Sequence, residues 1–282
     1  MTIDALTTAA ERAEAATMLA LESHAEPETV RRLGIAAAEI AGSVLLAVRE
    51  DPSQYWSKAY CLGLDRPVTD AIIGEVIDFY LDNGNKMAVL PIAPSVLPPD
   101  WAEICQRYGL TEGSFWHKLV RDADAEPLPP AGSFLTDSSL RVAPVPAQDG
   151  LVWARASMRG FGMPEDVAPM LANALSEEGL TTFGTYVGAE LVGAGTLAVV
   201  DVAGGQRVGQ LAAGFTLAGY QGKGGQSAVI AARAQLARES GAGLLVAETG
   251  DEKPGEHNTS LRNLLRLGFR VLYKRQNWIW RA

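Results

Sequence analysis

The chain has 282 residues and a net charge of −9, with 48% of its residues hydrophobic and 20% charged. Such a length allows one large domain or two ordinary ones, and the balance is that of a globular protein with material for a sizeable core. The acidity argues against a nucleic-acid partner and a polybasic membrane surface, and it favours a neutral or cationic small molecule as ligand.

Cys61 and Cys105 are far apart and show no metal-ligand spacing, so the sequence predicts free thiols in a reducing compartment and no metal. The first residues have no basic n-region and no apolar h-region. The most apolar window, 33–48, carries Glu39 and is too short to span a bilayer. The expectation is a cytoplasmic protein.

Over 3–23, Leu6, Ala9, Ala10, Ala13, Ala16 and Ala20 recur at helical spacing, with Glu11, Arg12 and Glu14 assigned to the opposite, polar side. Pro27 suits a first helical turn and predicts a second helix to about Ala41. Residues 43–49 and 55–64 read as strands, with Asp51-Pro52-Ser53 as the turn between them. A helix is expected over 69–83, with Thr69 as N-cap and Gly84 just past its end. A strand over 87–92, a helix from Pro98-Pro99-Asp100 to Gly109 and a strand over 115–121 complete the first half. Residues 122–139 are rich in proline and acid and have no periodicity. They predict a linker over 123–139 between domains 1–122 and 140–282.

The second half predicts a strand over 140–145 and helices over 151–159 and 164–178. Strands over 183–187 and 191–200 are joined at Gly188-Ala189-Glu190, and a second hairpin loop over 201–206 leads to a strand over 208–217. A helix over 225–240, a strand over 244–249, a polar loop over 250–257, a helix over 258–267 and a strand over 269–280 follow. Nearly the same order of elements recurs in both halves, which predicts two copies of one α/β plan.

The stretch 213–227 passes from an apolar strand through Gly219, Gly222 and Gly224 into a helix. A glycine turn before a helix presents free backbone N–H groups to an anion, and Lys223 adds charge at the same spot. The expectation is a pyrophosphate cradle.

Two segments resemble the GNAT N-acetyltransferase superfamily. In the first, Gln221, Gly222, Lys223 and Gly224 match the acetyl-CoA pyrophosphate loop, while Gln226 stands where Gly or Ala is usual. The second, 258–269, is similar to the family's asparagine, helix, then Gly268-Phe269 before a closing strand. The likeness covers 140–281 well and extends more weakly over the first half, through 61–64, Phe79-Tyr80 and 116–121, as in tandem members. The first half has no glycine-rich loop: its link is Asp65-Arg66-Pro67. The resemblance implies two tandem GNAT-like α/β (α+β) domains, each a mixed sheet flanked by helices, with the first a degenerate copy that does not bind CoA.

It further implies acetyl-CoA as co-substrate. The edge of Phe215, Thr216 and Leu217 would pair with the pantetheine arm, and the amides of Gly222, Lys223, Gly224, Gly225, Gln226 and Ser227 would hold the pyrophosphate. Asn258 is a helix N-cap that can also touch the pantetheine.

The family's usual acid is a tyrosine four residues before the Gly-Phe pair, and here that position is Leu264. A thiolate of ordinary pKa, near 8.5, can leave without that proton. Glu248, at a strand end near the splay, is the candidate base. Gln210 stands near where many members carry a glutamate, and an amide cannot be a base. His257 is a further base candidate or a bystander beside Asn258. Trp153, Phe161 and Met163 fall in the region that walls the acceptor site in relatives, where they line a pocket or pack in the core. The sequence thus predicts an N-acetyltransferase acting on the primary amine of a small molecule by direct transfer, or else a CoA-binding regulatory protein without chemistry.

Overall fold

A computed structural model describes residues 4–202, 204–252 and 255–282. Ile3 of the first helix, Ala203 of the second hairpin loop, and Lys253 and Pro254 of the 250–257 loop lie outside the described residues.

The chain opens on helix α1 (Ala5–Glu22), where Asp4 caps the N-terminus by accepting from the Thr7 amide. Its small residues allow close approach to the sheet, and Ala9, Ala10 and Ala13 pack on Val120, Val208 and Val246. The side of α1 expected to be polar is buried as well: Glu11 is 1% exposed and Glu14 9%. Both carboxylates find cations from strands distant in sequence, a contact no helical period can signal.

Helix α2 (Pro27–Leu33) is shorter than its apolar pattern predicts. Gly34, at φ +62°, stops it by returning its amide to the Val30 carbonyl. The following alanines become strand β1 (Ile35–Ile40), paired through the tight Ala41-Gly42 turn with β2 (Ser43–Val48). Tertiary pairing overrides the helical propensity of Ala36-Ala37-Ala38. The expected strand over 55–64 shrinks to β3 (Lys58–Tyr60). Asp51 explains the loss, since its carboxylate accepts the amides of Ser53, Tyr55 and Trp56 and holds 51–56 as a loop.

Helix α3 (Asp70–Asp82) starts on the Thr69 cap, as its sequence predicts. Strand β4 (Met87–Ile92), helix α4 (Trp101–Tyr108) and strand β5 (Thr111–Asp122) follow. Strand β6 (Leu140–Pro144) leads to α5 (Gly150–Phe161). The helix expected over 164–178 is broken into short turns around α6 (Ala168–Leu171). Strands β7 (Leu180–Val187), β8 (Glu190–Val202) and β9 (Gln206–Thr216) form a meander. Helix α7 (Gly225–Glu239), strand β10 (Leu244–Gly250), helix α8 (Thr259–Arg266) and strand β11 (Arg270–Arg281) complete the chain.

The eleven strands of the described residues join one mixed sheet in the order β1-β2-β3-β4-β11-β5-β10-β9-β8-β7-β6. The two halves exchange their last strands at its centre. β5 pairs with β10 of the second half, β11 pairs with β4 of the first, and β5 and β11 pair with each other. The 123–139 segment is not a free tether. A turn of 3-10 helix (Ala131–Phe134) within it lies against α7, and the Thr136 amide donates to the Lys223 carbonyl at 3.2 Å. The largest apolar cluster also crosses the halves, joining Leu21, Val48 and Trp56 to Trp153, Met158 and Phe215. Among the described residues no helix is long and apolar enough to cross a membrane.

Candidate active site

Strands β9 and β10 run parallel and are paired from Val208↔Leu244 to Leu211↔Ala247, where the pairing ends. Beyond that point β9 bulges. Thr196 faces Ala212 and Ala194 faces Phe215, so two residues of β9 oppose one of β8, with Ala213 at φ +48°. The bulge bends β9 away from β10 and opens the sheet.

Arg233 of α7 braces this bend from below. Its Nη1 donates to the carbonyls of Thr196 (3.1 Å) and Ala212 (3.2 Å), and its Nε to that of Val229 (3.3 Å). Gly195 makes room for it, since a Cβ there would lie 2.7 Å from the guanidinium carbon. Among the described residues no carboxylate pairs with Arg233, and burial lowers its pKa to about 9.

The edge expected from Phe215, Thr216 and Leu217 is divided between two sides. The Leu217 amide donates to Val192 at 2.8 Å and is therefore spent on β8. Alternation along an antiparallel pair leaves the backbone of Thr216 on the open side. Phe215 is buried and packs edge-on to Phe161 at 6.1 Å between ring centres.

At the head of α7, Gly222 (φ +75°) and Gly224 (φ +83°) are left-handed, a conformation that favours glycine. The helix bonds begin with the Ala228 amide on the Gly224 carbonyl, so the amides of Gly225, Gln226 and Ser227 form the free first turn. Lys223 forms an ion pair with Asp137 at 3.0 Å and so shares its charge with the 123–139 segment. The Gln221 side chain lies 3.3 Å from the Thr216 carbonyl. Gln226 ties α7 to α8, donating to Ser260 Oγ (3.0 Å) and accepting from Asn263 (2.6 Å). Arg266 donates to Ser227 Oγ at 2.8 Å. Asn258 caps α8 by accepting the Leu261 amide, and its side-chain NH2 donates to Thr249 Oγ1 and the Gly250 carbonyl, pinning the end of β10. His257 is exposed, with Nδ1 2.5 Å from Arg262.

Glu248 sits where β9 and β10 separate. It stands opposite Lys118 in the β10–β5 register. Lys118 Nζ donates to its Oε1 at 2.8 Å, and Gln210 Nε2 to its Oε2 at 2.6 Å. Lys118 is fully buried and also bonds Glu14 at 2.6 Å, while Arg275 of β11 grips both Glu11 and Glu14 at 2.7 to 2.9 Å. Burial alone would raise the Glu14 pKa, but the charges of Arg275 and Lys118 outweigh it and hold the carboxyl far below its usual range. Glu248 goes the other way: burial raises it to about 7, helped by the negative charge of Glu14 and only partly opposed by Lys118. It is thus a carboxylate able to take up a proton near neutral pH. The residues that shape it come from three strands and the N-terminal helix.

One cavity of about 450 Å³ joins these parts. It touches α7 through Gln226 and the splayed strand through Ala213 and Gly214, and it reaches Glu248. Trp153, Phe161 and Met163 line it, as does Leu264, which brings an apolar side chain to the position of the family's acid. The first half contributes the rest of the wall through Glu14, Tyr55, Trp56, Lys58 and Trp116. Sequence reasoning missed Lys118, Glu14, Arg275 and Lys58. Of these only Lys118 belongs to the 116–121 run that carries the resemblance, and nothing in that run shows which way its side chain turns.

No protein-family model matches the sequence, and no curated protein matches it. Solved structures do. A GCN5-related N-acetyltransferase from Kribbella flavida superposes with a TM-score of 0.60 at 17% identity, covering 95% of this chain and 96% of its own. A tandem GNAT protein from the clavulanic acid biosynthesis pathway superposes at 0.58 and 12% identity, covering 100% and 97%. A GCN5-related N-acetyltransferase from Sphaerobacter thermophilus gives 0.57 and 14%, covering 95% and 91%. With the splayed parallel strands and the glycine turn before α7, these likenesses give the chain the fold of the GNAT N-acetyltransferases in its tandem form.

Proposed function

We propose that the chain is an acetyl-CoA-dependent N-acetyltransferase that acetylates a primary amine of a small molecule by direct transfer. The observation that carries this reading is the single cavity shared by the head of α7, the open edge of β9 and the Glu248 carboxylate. The residues fit the co-substrate on two counts. The free first-turn amides of α7 behind left-handed glycines suit a diphosphate, and the unpaired edge of β9 suits an extended amide-bearing arm. Acetyl-CoA, when bound, supplies the acetyl group as a thioester.

The chain's own residues do the rest. The amides of Gly222 to Ser227 hold the negative diphosphate, with Gln221 and Lys223 beside them. Thr216, between Phe215 and Leu217, offers its backbone amide along the arm, its carbonyl being taken by Gln221 Nε2. Glu248 accepts a proton from the incoming ammonium, leaving a neutral amine able to attack, and Lys118 and Gln210 fix the orientation of its carboxylate. Arg233 holds the bulge that keeps β9 open. Leu264 donates no proton, so CoA leaves as thiolate, and the second amine proton, shed from nitrogen as the amide forms, passes to that thiolate or to solvent. Asn258 acts through the β10 end it pins. We assign this chemistry to the 140–282 unit, and to the 1–122 unit, joined to it through 123–139, the walls of the acceptor pocket. The expected setting is cytoplasmic, without nucleic acid, membrane or metal.

The test is release of free thiol from acetyl-CoA against a panel of primary amines, with thermal melting in acetyl-CoA alongside. Turnover with at least one amine and a raised melting temperature are expected. A raised melting temperature with no turnover for any amine would favour the CoA-binding regulatory reading, and no thermal shift would overturn both.

A further inference from the structure

Lys58 is the one cation on the cavity wall whose charged group makes neither an ion pair nor a hydrogen bond among the described residues. It belongs to β3, is 9% exposed, and lines the cavity together with Tyr55, Trp56 and Trp116. Its Nζ lies 3.3 Å from the centre of the Tyr55 ring and 5.9 Å from that of Trp116. An ammonium on aromatic faces recovers part of its lost hydration and still lacks an anion.

Among the described residues no carboxylate pairs with Lys58, and Asp51, whose charge also reaches it, is held by the amides of its own loop. Glu14 is held by Lys118 and Arg275, and Glu11 by Arg275. Glu22, on the same helix, has neither carboxylate oxygen hydrogen-bonded among the described residues and forms no ion pair with Lys58, and burial raises its pKa well above the usual range. Burial lowers Lys58 itself only to about 8, which leaves it mainly charged at pH 7. The other cations on the wall are occupied, Arg275 by carboxylates and Arg233 by three carbonyls.

We infer that Lys58 is the recognition group for an anionic substituent, a carboxylate, on the acceptor, and that the acceptor is an aromatic or apolar amino acid of the kind that separates amine from carboxylate. This rests on the proposed acetyl transfer and specifies its substrate. The cavity sorts the two ends by charge. Lys58 repels an ammonium and attracts the carboxylate. Glu248 does the reverse, attracting the ammonium and taking its proton. The apolar body between them meets Trp56, Trp116, Trp153 and Phe161, which line the same space. The first half of the chain, which has no glycine loop, thereby determines which amine is acetylated.

The experiment uses the full chain at pH 7 with a matched pair of probes, 4-(aminomethyl)benzoate and benzylamine, and with 4-methylbenzoate, which has the carboxylate and no amine. Calorimetric titration with 4-methylbenzoate should show binding to the wild type, at least tenfold weaker binding to Lys58→Met, and recovery in Lys58→Arg. Circular dichroism and melting of each variant establish that it is folded. In turnover with acetyl-CoA, the wild type should favour 4-(aminomethyl)benzoate over benzylamine at least tenfold in kcat/KM, and Lys58→Met should bring that ratio toward one through KM. Absence of 4-methylbenzoate binding to the wild type, or equal binding to Lys58→Met, overturns the assignment of Lys58. Lys58-dependent binding of 4-methylbenzoate with no turnover of either amine supports that assignment and counts against acetyl transfer alone.

Discussion

Replacing Glu248 by glutamine removes the proposed base while preserving its surroundings. The new amide has the same shape. Its oxygen can still accept from Lys118, as Oε1 does now at 2.8 Å. On the other side Gln210 Nε2 donates at 2.6 Å, and there the new NH2 would face a donor. A flip of the Gln210 amide resolves this, because its Oε1 is buried without a partner among the described residues and would turn to accept.

The expected loss in kcat is about 10²–10⁴-fold, the usual contribution of a positioned base, or roughly 3–5 kcal/mol of barrier. Thiol release from acetyl-CoA, followed from pH 5 to 9, should rise in the wild type with a midpoint near 7, as Glu248 gives up its proton. In Glu248→Gln that limb should vanish. Stability gives an independent check. The folded pKa, about 7, lies above the ordinary value of 4.5, so protonation of Glu248 stabilises the fold fully below about pH 4.5, and this is lost as pH rises to 7. The gap corresponds to something on the order of 3 kcal/mol. The wild type should therefore lose several degrees of melting temperature relative to Glu248→Gln across that window. A variant with wild-type kcat and an unchanged limb near pH 7 would refute the assignment of Glu248.

Lys118→Met should leave Glu14 with Arg275 alone and Glu248 with no cation, at a cost of about 3–5 kcal/mol for a broken buried pair. It should also move the pH limb above 7, and an unmoved limb would show that Lys118 does not act on Glu248. Gly224→Glu should abolish the melting-temperature rise given by acetyl-CoA. Its Cβ would fall on the Phe134 carbonyl, a left-handed side chain costs roughly 1–2 kcal/mol, and a carboxylate would face the diphosphate. An undiminished rise would place the site elsewhere. Expressed separately, 1–122 should fail to fold, because without β11 and β10 strand β4 keeps only the short β3 and β5 has no partner, and co-expression with 140–282 should restore a soluble complex. A cooperative melt from 1–122 alone would contradict this.

Much of this chain is legible one residue after another. The glycine turn before α7, the Thr69 and Asn258 caps and the hairpin at Gly188-Ala189 depend on neighbours a few positions away, and the sequence carries those relations directly. The helix that ends at Gly34 reads past its stop in sequence because three alanines suit a helix in isolation, and only the partner strand β2 makes them a strand.

The site divides along the same line. The sequence by itself determined the strand, the glycine turn and the helix after it, and its resemblance to a known family pointed to Glu248 as a candidate base and to Leu264 at the expected acid position. Only the tertiary structure decided that Glu11 and Glu14 turn inward, because their cations arrive from Lys118 and Arg275 on strands exchanged between the halves. It also decided that Glu248 is poised near neutrality and that Lys58 faces the same cavity. Burial and charge pairing set both, and they are sums over residues 38 to 264 positions apart, which local patterns of helix and strand do not record.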